Sequence, residues 1–121
     1  MSNVLDFDIQ QGETFVRLIT YSDDDGAIDV SGWTARMKIT GRKRNANDTA
    51  WIPDTADEKL DCTSFIVVGT TDGLFTLTIP AASTAALPDE ACMYDFEAVS
   101  AAGAVTKLLR GAVNVIMEAT T

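Results

Sequence analysis

The 121-residue chain carries 18 acidic and nine basic residues, a net charge of −9, no histidine and 46% apolar residues. That length suits a single domain over residues 1–121, with enough apolar content to bury a core without disulfide or metal staples. An acidic surface repels phosphate backbones, which excludes general nucleic-acid binding. No apolar run approaches the roughly 18 residues of a membrane span. The opening "MSNVLDFDIQQG" also has neither the basic start nor the long apolar stretch of a secretory signal.

Taken in chain order, the segments read as strands. "VLDFDIQ" sets Leu5, Phe7 and Ile9 against Asp6 and Asp8, a period of two with one dry face and one wet. "TFVRLITY" follows and reverses at Asp25-Gly26. In "GWTARMKIT", Trp33, Ala35, Met37 and Ile39 alternate with Thr34, Arg36, Lys38 and Thr40, which predicts a strand whose Trp33 lies in the core. Residues 41–61 are polar and irregular, and they predict a long loop with one short edge strand, because Pro53 disfavours a central one. "LFTLTIP" and "MYDFEAV" resume the alternation, separated by "PAASTAALPDE", whose alanines favour a short turn of helix. In the last run, "VTKLLRGAVNVIME", Gly111 is expected to mark a bulge or bend. Asp72-Gly73 and Ala102-Gly103 supply two further turns. Seven or eight short strands with one-sided alternation predict an all-β fold of antiparallel sheets packed face to face, a β-sandwich.

The residues of familiar active sites are missing. Without histidine there is no usual base for a serine or cysteine nucleophile, and neither a G-x-S-x-G elbow nor a P-loop occurs. The expected protein is therefore not an enzyme and carries no cofactor. Cys62 and Cys92 are too few for a zinc set, and either meet as a disulfide or remain separate thiols. The stretch "YSDDDGAIDVSG" places Asp23, Asp24, Asp25 and Asp29 together. Aligning Gly26 with the glycine of an EF-hand puts Tyr21 first and Gly32 last, so that pattern fails at both ends. A calcium site of another kind could use Asp23, Asp25 and Asp29, but a solvated hairpin turn explains the residues better.

Two features remain as interface candidates. Arg42, Lys43 and Arg44 form the one basic run, either the solvated end of a strand or a contact for an acidic surface on a neighbouring copy. Trp51 would cap the core if buried; exposed, it would anchor an interface, the role favoured here.

Three segments together resemble the small Ig-like domains of tailed-phage virion proteins, such as those of baseplate upper proteins and tail-fibre neighbours. "FDIQQGETFVRLITYSDDDGAIDVSGWTARMKI" is similar to their opening, with Q-G-x-T-F, a D-G turn, then D-[LV]-[ST]-G-[YW]-x-A-R-M. "DGLFTLTIPAASTAAL" resembles their middle and "YDFEAVSAAGAVTKLLRGAVNV" their closing hairpin, so the likeness spans residues 7–115. Residues 41–60 depart from the pattern, being longer and more charged. The resemblance implies an antiparallel Ig-like sandwich serving as a structural part of a virion, made in the host cytoplasm. Its place would be the tail, baseplate or neck, docking fibres or neighbouring subunits. It implies partners among other virion proteins and copies of itself in a symmetric homo-oligomer, with no catalytic, metal or cofactor residues to carry over. Ending at Thr121, just past the last strand, the chain is expected to be a free-standing subunit. In such sandwiches a tyrosine at the position of Tyr94 bonds back to the corner backbone before it. The alternatives are a capsid decoration or head-fibre protein and an adhesin-like or carbohydrate-binding module. A carboxylate-dependent hydrolase would require a deep cleft with two converging acids.

Overall fold

The computed structural model describes residues 3–117, and within them every alternating segment becomes a strand. The first segment splits into β1 (Asn3–Val4) and β2 (Phe7–Gln10). Then come β3 (Phe15–Thr20), the two-residue strands β4 (Ser22–Asp23) and β5 (Gly26–Ala27), β6 (Thr34–Arg44) and β7 (Trp51–Asp61). A single 3-10 turn over Thr63–Phe65 leads into β8 (Ile66–Val68) and β9 (Leu74–Ile79). The short helix α1 (Ala81–Ala85) sits where the alanines predict it, before β10 (Ala91–Val99) and β11 (Val105–Ile116).

These strands form a six-stranded sheet in the order β1-β11-β10-β6-β7, with β2 also on β11, a three-stranded sheet β3-β9-β8 and a two-stranded ribbon β4-β5. The strand number among the described residues is eleven, against the seven or eight expected, because short pieces such as β1, β4 and β5 carry no alternation of their own. The sheets are also mixed and not wholly antiparallel: β1 and β2 run parallel to β11, with Phe7 opposite Val113 and Ile9 opposite Val115. Parallel neighbours need a long crossover, and here nearly the whole chain lies between β2 and β11.

The dry faces of the two sheets meet in one core. Phe96 of β10 meets Phe75 of β9 edge-on at 5.7 Å, and Phe7 of β2 meets Phe15 of β3 at 5.3 Å. Met37, Ile39, Leu77, Ile79 and Val113 fill the space between them, all fully buried or nearly so. Each such side chain stabilises the fold by roughly 1.5–3 kcal/mol relative to exposure. Trp33 does not reach that centre. It is half-buried just ahead of β6, with its ring 6.0 Å from Tyr21, and so closes the rim of the core.

Two expectations about the closing strands are corrected. Gly111 is not a bulge, since it pairs in register with Tyr94. The bulge lies at Leu108, skipped between the Phe96–Leu109 and Glu97–Lys107 pairs, so Leu108 and Leu109 are both buried. Gly111 is needed for close approach: a Cβ there would stand 2.8 Å from the Leu5 carbonyl carbon and closer still to its oxygen. Tyr94 does not bond to the corner before it. Its ring stacks on Phe7 at 4.3 Å, and its hydroxyl donates to the Leu5 carbonyl at 2.6 Å, far upstream. Burial raises the Tyr94 pKa, consistent with a hydroxyl that stays a donor.

Candidate functional site

The largest departure from expectation is residues 41–61, which form no loose loop. Strand β6 continues through Gly41 to Arg44, turns over residues 45–50, and returns as β7. The turn is held locally. The Asn45 carboxamide oxygen accepts from the Thr49 amide at 2.9 Å, and the Asn45 amide donates to the Ala50 carbonyl at 3.0 Å. Asp48 adopts a φ of 54°, a left-handed conformation that aspartate tolerates better than most residues, and pairs with Arg44 at 2.8 Å. Pro53 faces Arg42 on β7, the outer strand of its sheet, which fits the rule that proline is confined to edges.

The hairpin brings the candidate residues together. Arg44 is directly opposite Trp51 in register, and Arg42, two residues earlier, projects on the same side. The Arg42 guanidinium lies 4.0 Å from the Trp51 ring centroid and that of Arg44 lies 5.0 Å from it. Trp51 is 45% exposed, so it does not cap the core; it carries two stacked cations in solvent. Contacts of this kind contribute about 0.5–1 kcal/mol each at exposed sites and restrict the side chains they join. Lys43 pairs with Ile52 and projects from the opposite side of the ribbon. Arg42, Lys43 and Arg44 are all exposed.

Elsewhere the outer surfaces differ sharply. On the large sheet, charges pair across strands: Arg36 with Glu97, Lys107 with Asp95 at 3.0 Å and Glu97 at 3.4 Å, and Lys38 with Glu58 at 3.0 Å. Burial alone would raise the Glu97 pKa, but hydrogen bonds from Arg36 and Lys107 leave it lowered. The Asp95 hydrogen bond raises that of Lys107, and the Glu58 bond raises that of Lys38. This ladder floors an open groove of about 740 Å³, bounded by Ile52 and Pro53. Beside it Lys59 bridges Asp57 at 3.0 Å and Glu90 at 2.9 Å. The outer side of the small sheet is uncharged. Val16 faces Thr78, and Leu18, Thr76 and Val67 form a row across three strands, with Val16, Leu18 and Val67 all more than half exposed.

Asp23, Asp24 and Asp25 lie on a hairpin turn, and Asp29 lies past it, between β5 and β6. Strands β4 and β5 form a hairpin whose two-residue connection is Asp24-Asp25, and Gly26 takes a φ of 112° immediately after it. The Asp23 carboxylate accepts from the Asp25 amide and the Asp29 carboxylate from the Ser31 amide, each at 2.9 Å. Hydrogen bonds from Ser31 lower the Asp29 pKa. Among the described residues no three Asp, Glu, Cys or His side chains are grouped to hold a metal ion. Cys62 and Cys92 are buried free thiols, and burial pushes Cys62 up to about 12.

Sequence reasoning singled out the basic run, as the solvated end of a strand or a contact, and Trp51, within a stretch read as a long loop, but did not join the two. The signal that could have joined them is the i, i+2 spacing of Arg42 and Arg44 opposite an aromatic, a cross-strand pattern with no dry face to reveal it. No protein-family model matches this chain, and no curated protein matches it either.

Proposed function

We propose that this chain is an Ig-like β-sandwich that serves as a structural subunit of a tailed-phage particle. Its place is the tail, baseplate or neck, where it docks fibres, neighbouring subunits and copies of itself. The phage setting is supported by the three segments within residues 7–115 that resemble virion Ig-like domains. The structural observation that carries the docking role is the β6–β7 hairpin, which holds Arg42 and Arg44 against Trp51 in solvent at 4.0 and 5.0 Å. Arginine and tryptophan are the side chains most enriched among residues that dominate protein interfaces. The uncharged face bearing Val16, Leu18 and Val67 gives partners a second place to pack.

The mechanism is passive. A stiff two-sheet body positions fixed contact groups, and symmetry in the particle repeats them. Immunogold labelling of intact particles of the phage that encodes this chain tests the proposal. Gold confined to the tail, baseplate or neck is expected. Gold spread over the head would favour a capsid decoration or head-fibre subunit, and unlabelled particles would refute a virion role.

A further inference from the structure

The loops at the start of β6 form a purely acidic pole, whereas the hairpin at its far end carries both signs of charge. At the start of that strand, three loops are tied together: Tyr21 donates to Gly73, Ile28 to Tyr21 and Val30 to Thr70, at 2.8, 3.0 and 2.9 Å. Residues 21–34 and 69–74 carry Asp23, Asp24, Asp25, Asp29 and Asp72 without a single lysine or arginine. All five are exposed, and among the described residues none lies in an ion pair. At the far end of β6, ten residues on from Thr34, stands the Arg42–Lys43–Arg44 tip with Trp51, where Asp48 pairs with Arg44 and Asp54 lies opposite Gly41. At ~3.3 Å per residue the two poles are roughly 33 Å apart.

The tip also holds cations left over from internal pairing. Arg36, Lys38, Arg44, Lys59 and Lys107 have carboxylate partners; among the described residues Arg17, Arg42, Lys43 and Arg110 lie in no ion pair, Arg17 being half-buried over Phe7 and Phe15 and Arg42 resting on Trp51. A guanidinium held over an indole without a carboxylate partner still has N–H donors to offer, the groups with which arginine takes a carboxylate. The surface that fits this tip is therefore acidic and rich in carboxylates. In a chain of net charge −9, that description fits the opposite pole of the molecule itself.

We propose that the Arg42–Lys43–Arg44–Trp51 tip of one copy docks on the aspartate pole of a second copy. Because the two surfaces differ and lie at opposite ends, the contact is head-to-tail and leaves a free pole at each end. Such contacts close into a ring or extend into a filament, depending on the rotation between copies. This names the partner within the assembly role proposed above and rests on it.

A charge swap in the purified full-length protein tests the contact independently of any particle. The two variants are Arg42→Glu with Arg44→Glu, and Asp24→Lys with Asp25→Lys. Sedimentation velocity at low ionic strength should show the wild type associating and high salt dissociating it, as screening requires. Each variant alone should stay monomeric, since its poles now repel. An equimolar mixture should associate again, because a reversed tip meets a reversed pole. All four positions are exposed, and circular dichroism checks that each variant folds. Arg42→Gln with Arg44→Gln serves as a neutral second variant, expected to weaken association without repulsion. A wild type that stays monomeric, variants that associate like it, or a mixture that stays monomeric would each overturn the proposal. Because no particle is involved, failure here leaves the immunogold result to judge the virion role separately.

Discussion

Replacing Tyr94 by Phe removes one atom from the core and tests how the first strands are held. The Tyr94 hydroxyl donates to the Leu5 carbonyl at 2.6 Å, while the stacked contact with Phe7 at 4.3 Å survives in phenylalanine. The loss is thus one hydrogen bond plus an acceptor left unsatisfied, about 1–2 kcal/mol. Unfolding entropy of about 2.1 cal/mol/K per residue converts this into a fall in Tm of roughly 4–8 °C. Gly111→Ala attacks the same carbonyl from the other side. Its Cβ would stand 2.8 Å from the Leu5 carbonyl carbon and 2.9 Å from an Asp6 carboxylate oxygen, so the segment joining β1 to β2 must move. Forcing atoms into such a space costs typically about 1–3 kcal/mol, here toward the upper end because backbone must yield. Once Leu5 has moved, Tyr94 has less of a bond to lose. The double variant should therefore cost about 1 kcal/mol less than the sum of the two, measured by urea unfolding of all four proteins. Additivity within about 0.3 kcal/mol would refute a shared anchor at Leu5.

Thr84→Val should cost about 2 kcal/mol by thermal unfolding, since the buried hydroxyl accepts from the Gly12 amide at 3.1 Å and donates to the Glu13 carbonyl at 2.7 Å; Thr84→Ser should recover about half of it. Alkaline pH should destabilise the protein through Cys62. Its folded pKa, pushed up to about 12, lies above the ordinary thiol value of about 8.5, so its contribution is intact below the latter and is lost as pH rises toward the former. Between about pH 8 and pH 10 that loss is about 2 kcal/mol, and Cys62→Ala should flatten the slope of unfolding free energy with pH by that amount. An unchanged slope would mean that the thiol is not shielded from water.

Most of the strand inventory was legible because sheets with one wet side write a period of two into the chain, as in Ala35, Met37 and Ile39 or Phe75, Leu77 and Ile79. Residues 41–61 were not legible for the complementary reason. The outer part of that hairpin is wet on both sides, and its ladder shifts twice, near Thr40 and Gly41, which breaks any remaining alternation. Pro53 still marked β7 as an edge. The parallel pairing of β1 and β2 with β11 left no local trace, since partner direction is a long-range property of the chain. The roles of Gly111 and Tyr94 failed together, because both depend on where Leu5 lies, more than 80 residues away in sequence. At the candidate site, residue types were visible but their geometry was not: stacking of Arg42 and Arg44 on Trp51 requires the register of the hairpin.

As proposed, this chain is a built-in part of a virion. Purified particles digested to peptides and quantified against isotope-labelled standards give its copy number relative to the major capsid protein. A few to dozens of copies per particle are expected of a tail, baseplate or neck subunit. Hundreds of copies would contradict that placement, and absence from washed particles would contradict the virion role altogether.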